Sequence, residues 1–424
     1  MANSFSKEER VAFEDILEGF DDQLVLSRNV MTYRTDGQDM ERSRDRIWRP
    51  MPYIATSING APGTDISAQF KDFTQLSVPA SLGFSKTVPW TLTAKELRDQ
   101  LQEGRLGQSA RQKLASDVNV AIMNVASNQG TLVSARTGDA SGYDDVAECD
   151  ALMNEIGVDM DMRCAAYSSR DYNKMAGNLA ARQTLQGKPL TAYDKAYIGE
   201  AAGFELLKLD YANRLTAAAA TGVTINGAGQ YYTPAATSTG SGGEVNNVDN
   251  RYQNLAVTVT SGTIKVGDCF SIADVESVHL ITKQATGQAK TFRVTGIVSG
   301  GGGTGTIQIS PPIISNGGST DAEEQYQNVS ATPANGAAIT FLNTGDSAVN
   351  PFWHKSALEI LPGSYVVDPN SGVDVMRATT DQGFEVVMQK QYDINTMTHK
   401  YRLDILFGVV NLQPEMTGIQ LFNQ

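Results

Sequence analysis

From about residue 216 to residue 345 the chain runs in Thr, Ala, Ser, Gly and Val, with apolar and small polar residues alternating. Such a block cannot be helical: period-2 alternation and β-branched side chains favour strands, and frequent glycines weaken helices. The flanks read differently. Residues 109–129 form one amphipathic helical pattern, residues 144–210 alternate helix and strand signals, and a helix–strand pattern returns after the block, ending in the apolar run Leu403–Val410. The chain must therefore fold as an α+β host that accommodates an inserted β module. Neither part has the shape of a catalytic site, so the work of the protein is expected to lie in its surfaces.

Inside the block the strand signals are specific. Leu255, Val257 and Val259 alternate with Ala256, Thr258 and Thr260; Ile264 and Val266 precede a Gly267-Asp268 turn ahead of Phe270 and Ile272; Phe292 with Val294 and Ile307 with Ile309 repeat the pattern. Short strands with Gly-rich turns predict a small antiparallel barrel over 222–345. Its flanks at 234–250 and 299–305, rich in Gly, Ser, Thr and Asn, are expected to be surface loops.

At 424 residues the chain is long enough for two or three cored domains. Its formal net charge of −13 opposes binding to nucleic acid through phosphates, which needs clustered Lys and Arg. Arg34, Arg42, Arg44, Arg46 and Arg49 surround Trp48, but this cluster is small in so acidic a chain. The polar, acidic opening does not read as a secretory signal, and no apolar run approaches the ~20 residues of a membrane helix. Cys149, Cys164 and Cys269 are an odd number without a Cys-x-x-Cys spacing, so reduced thiols are expected.

The helix at 109–129 has Leu114, Val118, Ile122 and Val125 on one stripe as its candidate core, with Gly130 as its stop. A second helix opens the chain. Ser6 and Glu9 have capping-box spacing, and Phe13, Ile16, Leu17, Phe20 and Leu24 form an apolar stripe. Residues 1–22 carry Lys7 and Arg10 against seven acidic residues, a net −5. That face is either solvated or a docking surface for a basic partner. Residues 52–80 hold Asn59-Gly60 and Pro62-Gly63 among short alternations, which predicts hairpin chemistry in an extended loop.

Catalytic and metal-binding patterns do not assemble. His279, His354 and His399 follow no metal spacing. Gly300, Gly302 and Gly305 satisfy G-x-G-x-x-G, but they lead into a strand rather than a helix and read as a turn. Asp159 and Asp161 lack the other ligands of a calcium loop. No catalytic residue, cofactor or metal is assigned.

Several ordered blocks carry a resemblance: Ile47-Trp48-Arg49-Pro50, Glu96-Leu97-Arg98-Asp99, Ala110-Arg111 to Gly130-Thr131-Leu132-Val133, Ala202-Gly203-Phe204, Val248-Asp249-Asn250-Arg251, Tyr326-Gln327-Asn328-Val329 and Asn350-Pro351-Phe352-Trp353. Taken together, across about residues 10–410, they resemble the major capsid (coat) protein of short-tailed bacteriophages, whose tailed-phage capsid fold carries an inserted domain. The resemblance implies an N-terminal arm (1–33), an E-loop (52–80) and a P-domain (34–51, 81–143 and 346–400) whose spine helix would be 109–129. It further implies an A-domain with C-terminal segment (144–221 and 401–424) and the inserted β domain (222–345). It implies a structural protein that assembles with itself, as hexamers and pentamers, into an icosahedral shell in the host bacterial cytoplasm. A scaffolding protein would guide assembly, a portal protein would occupy one vertex, and double-stranded DNA would be enclosed without specific binding; no membrane is involved. Glu14, Asp15 and Glu18 are the candidate scaffold contacts, Glu14 and Asp15 matching an acidic pair in the resembling proteins. One departure stands out: the family's loop at the start of the insert can carry charged contacts, whereas here 236–247 has Glu244 as its only charge. Two other readings stand beside it: a cellular nanocompartment shell of the same fold, and a non-enzymatic β-rich binding or adhesion module. The second is disfavoured by the few aromatics in the β block.

Overall fold

The computed structural model describes residues 9–424, except 12, 15, 18, 19, 21–23, 34–45, 52–62, 64, 68, 69, 94, 97–99, 182–186 and 367–372; for residues 100–106 it describes the backbone alone. Asp15, Glu18, Ser6, Arg34, Arg42, Arg44 and the first part of the predicted extended loop, 52–62, thus lie outside the described residues. The chain divides into two compact units. The first comprises Met1–Ile47, Ala80–Asn124 and Leu358–Val410, the second Trp48–Pro79, Val125–Ala357 and Asn411–Gln424. The helix Gln100–Gln129 contributes residues to both.

In the first unit the described strands form one sheet in the order Met31–Thr32, Leu358–Pro362, Thr398–Asn411, Glu385–Asp393, Asp374–Thr379, with Phe84–Thr93 also paired to Thr398–Asn411. Register runs from Thr398 opposite Thr93 to Phe407 opposite Phe84, which stacks Trp90 on Tyr401 and Phe84 on Phe407 with centroids 5.6 and 5.3 Å apart. Cross-strand aromatic pairs of this kind fix register as well as adding packing. The described residues between Glu9 and Phe20 are helical, and Phe13, Ile16, Phe20 and Leu24 are buried, as the stripe predicts. Phe20 meets Phe384 edge-on.

The long helix starts nine residues earlier than its periodicity indicated. Gly104 and Gly107 had masked this first part. At Gly107 the helix runs close to the N-terminal stripe, where a Cβ would lie 2.7 Å from Ile16 Cδ1. Leu114, Val118 and Ile122 are fully buried, but Val125 is only half-buried, and Ala126 and Ser127 take the inward positions instead. The buried side rotates because Val125 opens the part of the helix that belongs to the second unit, where Asn213 Nδ2 donates to Ser127 Oγ at 2.6 Å.

The second unit is built on a mixed sheet. Its described strands run in the order Leu132–Ala135, Thr417–Leu421, Asn350–His354, Arg163–Ser168, Phe204–Leu209, Glu200–Ala201. Helices Tyr143–Ile156 and Ser169–Ala180 cover a core that includes Val146, Met153, Tyr172, Phe204 and Phe352. Ser168 caps the second helix, its Oγ accepting from Asp171 N at 3.2 Å.

This sheet shows where the β block is inserted. Phe204–Leu209 and Asn350–His354 both pair with Arg163–Ser168, one on each side, so the chain leaves the sheet after Leu209 and re-enters it at Asn350. Between these points the strands Thr221–Ile225, Gln253–Ser261, Gly303–Ser310, Ala285–Ser299, Cys269–Val278 and Ile339–Phe341 form their own sheet in that order, each neighbouring pair antiparallel. A bridge between Thr224 and Ala338 brings its last strand back towards the first. Leu255, Val257, Val259, Phe270, Ile272, Phe292, Val294, Ile307 and Ile309 share one buried core, as the alternation required. Val266 is the exception at 61 % exposed, because the turn begins one residue sooner.

Two expected boundaries move. The break at 400/401 falls inside the single strand Thr398–Asn411, most of which pairs within the first unit's sheet. The insert begins before 222: Ala220 belongs to its core, and Arg214–Leu215 pairs with Ser347–Ala348 as a two-stranded neck holding the outgoing and returning chains together.

Candidate assembly surfaces

The N-terminal helix has the two faces its sequence implies, with one correction. Glu14 is exposed opposite the buried stripe. Glu9 is buried: its Oε1 pairs with Lys390 Nζ and accepts from Tyr401 Oη at 2.9 Å. The acidic surface is therefore smaller than the residue count suggested. Burying a carboxylate is tolerable when it is paired and hydrogen-bonded in this way.

The insert is joined to the sheet of its own unit by polar ties that the periodicity did not reveal. Lys290 and Glu415, 2 % and 11 % exposed, form an ion pair, and Asn328 Nδ2 donates to the same Glu415 Oε1 at 3.1 Å. Thr291 Oγ1 donates to Thr131 O at 2.7 Å. Arg251 is held by Asp249 through Nε at 2.9 Å and Nη2 at 2.7 Å, and its Nη1 donates to Asn411 O at 2.8 Å. Inside the insert, next to the neck, Asn343 Nδ2 donates to both Thr216 O and Asp268 Oδ1 at 3.0 Å. Lys283 lies by the same Glu415; burial lowers its ammonium pKa to about 8, and the carboxylate only partly offsets this. A second seam is apolar. Leu280 enters the core beneath Tyr143–Ile156, and its N donates to Ile156 O at 2.9 Å. Gly157, with φ +90, ends that helix where a Cβ would lie 2.6 Å from His279.

These joints coincide with sequence blocks singled out above. Val248-Asp249-Asn250-Arg251 supplies the Asp249–Arg251 tie, Tyr326-Gln327-Asn328-Val329 supplies Asn328, and Asn350 Nδ2 donates to Asp171 Oδ2 at 3.0 Å beside the Ser168 cap. Glu415 and Lys290 carried no signal in the sequence, since their meaning depends on two distant segments being brought together.

The end of the predicted extended loop is described, and it is not free. Its residues Lys71–Thr74 meet the short helix Asp321–Tyr326 of the insert. Lys71 pairs with Glu324, Asp72 N donates to Asp321 Oδ2 at 3.2 Å, Thr74 N donates to Gln325 Oε1 at 3.3 Å, and Tyr326 Oη donates to Thr74 O at 2.9 Å. The ribbon Thr237–Thr239 with Val245–Asn247 is exposed at every position, and Asn250 anchors its base by accepting from Ala235 N at 3.1 Å.

His279, His354 and His399 occupy separate places, and among the described residues no group of three or more His, Cys, Asp or Glu is arranged to hold a metal. Among the same residues no helix is long and apolar enough to cross a membrane. The cysteines are buried free thiols, Cys164 pushed up to about 12 by burial.

The chain matches the sequence model described as P22 coat protein, gene protein 5, over residues 1–423. It belongs to the P22 coat protein family. The CUS-3 coat protein I-domain is 41 % identical, covering 28 % of this chain and 95 % of that one, with a TM-score of 0.23. A Mycobacterium phage Che8 structure is 9 % identical over 94 % of this chain and 90 % of that one, with a TM-score of 0.45. The capsid structure of cyanophage P-SCSP1u is 9 % identical over 93 % and 85 %, with a TM-score of 0.42. The coat protein is a structural major capsid protein that assembles with itself into the bacteriophage capsid, and the family match selects this reading over a nanocompartment shell or an adhesion module.

Proposed function

We propose that the coat protein builds an icosahedral shell of hexamers and pentamers in the host cytoplasm, around a scaffolding protein that docks on the acidic face of its N-terminal helix. A portal protein takes one vertex, and double-stranded DNA is enclosed without specific binding. The first compact unit corresponds in this reading to the arm and P-domain, and the second to the A-domain, its insert and the base of the E-loop. The net charge of −13 supports a wall that does not hold packaged DNA.

The observation that carries scaffold docking is the exposure of Glu14 on a helix whose apolar stripe is buried. A scaffold must bind many copies and then leave. Exposed ion pairs suit this, each worth only ~0.2–1 kcal/mol and screened by salt. The test is the double substitution Glu14→Lys and Asp15→Lys, with Glu18→Lys as a third variant. The folded protein should give aberrant shells lacking scaffold, and scaffold binding to wild-type shells should weaken steeply with salt. Normal scaffold content in the variant shells, or salt-independent binding, refutes the docking assignment.

A further inference from the structure

We propose that the short helix Asp321–Tyr326 is a latch that fixes the base of the extended segment in one direction before the chain assembles.

A six-residue helix is too short to persist in water by itself, so something must hold it. Two devices do. Thr320 caps it, its Oγ1 accepting from Glu323 N at 3.2 Å, and the fully buried Glu323 turns inward to accept from Gly318 N at 2.7 Å and from Thr233 Oγ1. The helix is thereby fixed to the insert through one side. The four residues Asp321, Glu324, Gln325 and Tyr326 face the extended segment, and each contacts it.

What they bind is mainly backbone. Thr74 is bracketed on both sides, its N–H donating to Gln325 and its carbonyl accepting from Tyr326, while the Asp72 N–H donates to Asp321. Side chains here take the place of a partner strand and satisfy amide groups that would otherwise face water. Just beyond, a parallel bridge joins Ser77 to Asp249, the residue that also holds Arg251. The segment is thus pinned to the insert at two points.

Pre-ordering has a consequence for assembly. A flexible segment loses its conformational freedom when it docks on a neighbouring copy, and this opposes docking; a segment already held at its base loses less. The latch therefore speeds and orients addition of each subunit. This rests on the assembly reading above, and the test reads the latch and the assembly separately.

The measurement is hydrogen exchange of the Asp72 and Thr74 amides in the full-length monomer, followed by electron microscopy of particles formed under assembly conditions. The variant combines Asp321→Ala, Glu324→Ala and Tyr326→Phe, with protection in Gln253–Ser261 as the check that the insert is folded. Tyr326→Phe alone serves if the triple variant is unfolded. We expect exchange at the Asp72 amide, which loses its acceptor Asp321, to quicken at least tenfold in the triple variant, with a smaller rise at Thr74, whose acceptor Gln325 is kept, and particles to form more slowly and with malformed shells. Pairing Glu324→Lys with Lys71→Glu should restore protection relative to Glu324→Lys alone. Unchanged exchange overturns the latch. Faster exchange with particles of normal rate and shape overturns its role in assembly and leaves the capsid function standing.

Discussion

Replacing Lys290 by Met should be among the most damaging single changes at the insert's attachment. Lys290 is 2 % exposed and Glu415 11 %, and their ion pair ties the insert to the segment that leads into Thr417–Leu421. Met keeps most of the side-chain volume and removes the charge, which leaves the carboxylate with Asn328 as its remaining close donor at 3.1 Å. Removing one partner of a buried pair costs about 3–5 kcal/mol when the other charge is left uncompensated, and the Lys283 ammonium beside Glu415 sets the expectation here at the lower end of that range. At ~1.4 kcal/mol per tenfold, that lower end is roughly two powers of ten in the folded fraction of this unit. Replacing both groups, Lys290→Met with Glu415→Gln, removes both charges and should recover most of the loss. The assay is urea unfolding of monomer followed by tryptophan fluorescence, since Trp353 lies buried in the same unit. A cost below about 1 kcal/mol for Lys290→Met, or a double variant no better than the single, would refute the claim that this pair is buried and coupled.

Ile122→Asp places a charge at a fully buried helix position without a partner, costing several kcal/mol, and should yield insoluble protein; soluble, assembly-competent protein would contradict the core assignment. Lys283→Met should raise stability near neutral pH. The lysine's folded pKa, lowered to about 8 by burial, means the unfolded chain binds more protons between about pH 8 and 10.5, so the wild type gains stability as pH rises through that window and the variant's advantage in Tm should shrink across it. A constant advantage would show that burial of the charge is not the cause. A fragment 214–348, which keeps the neck, should give a β-type circular dichroism spectrum with cooperative melting, yet melt below the same strands in the full chain. Its Leu215 and Cys269 pack in the full chain against Val133, Val349, Ile419 and Leu421.

Much of this molecule was legible in its sequence wherever one short-range rule decided the outcome. The insert's strands, the buried stripe Leu114, Val118 and Ile122 and the N-terminal stripe all follow from period and propensity, which act over a few residues. The helix start was lost for the same reason: Gly104 and Gly107 lower the local helix propensity, and the packing that holds this turn, with Ile16 close to Gly107, comes from a distant segment. Composition also pointed to a β module interrupting an α+β host, although the expectation of a block without helix fails at Asp321–Tyr326, a six-residue helix held by the Thr320 cap and the buried Glu323. Tertiary structure alone decided which polar residues matter. Glu9 looks like one more solvated acid until Lys390 and Tyr401 arrive from the far end of the chain, and Glu415, Lys290 and Asn328 are ordinary surface residue types until folding buries them around one carboxylate. The apolar pattern repeats along the chain and can be read from it. The partner of a buried charge is set by chain crossings hundreds of residues apart, and its energy depends on desolvation that exists only after the fold has closed around it.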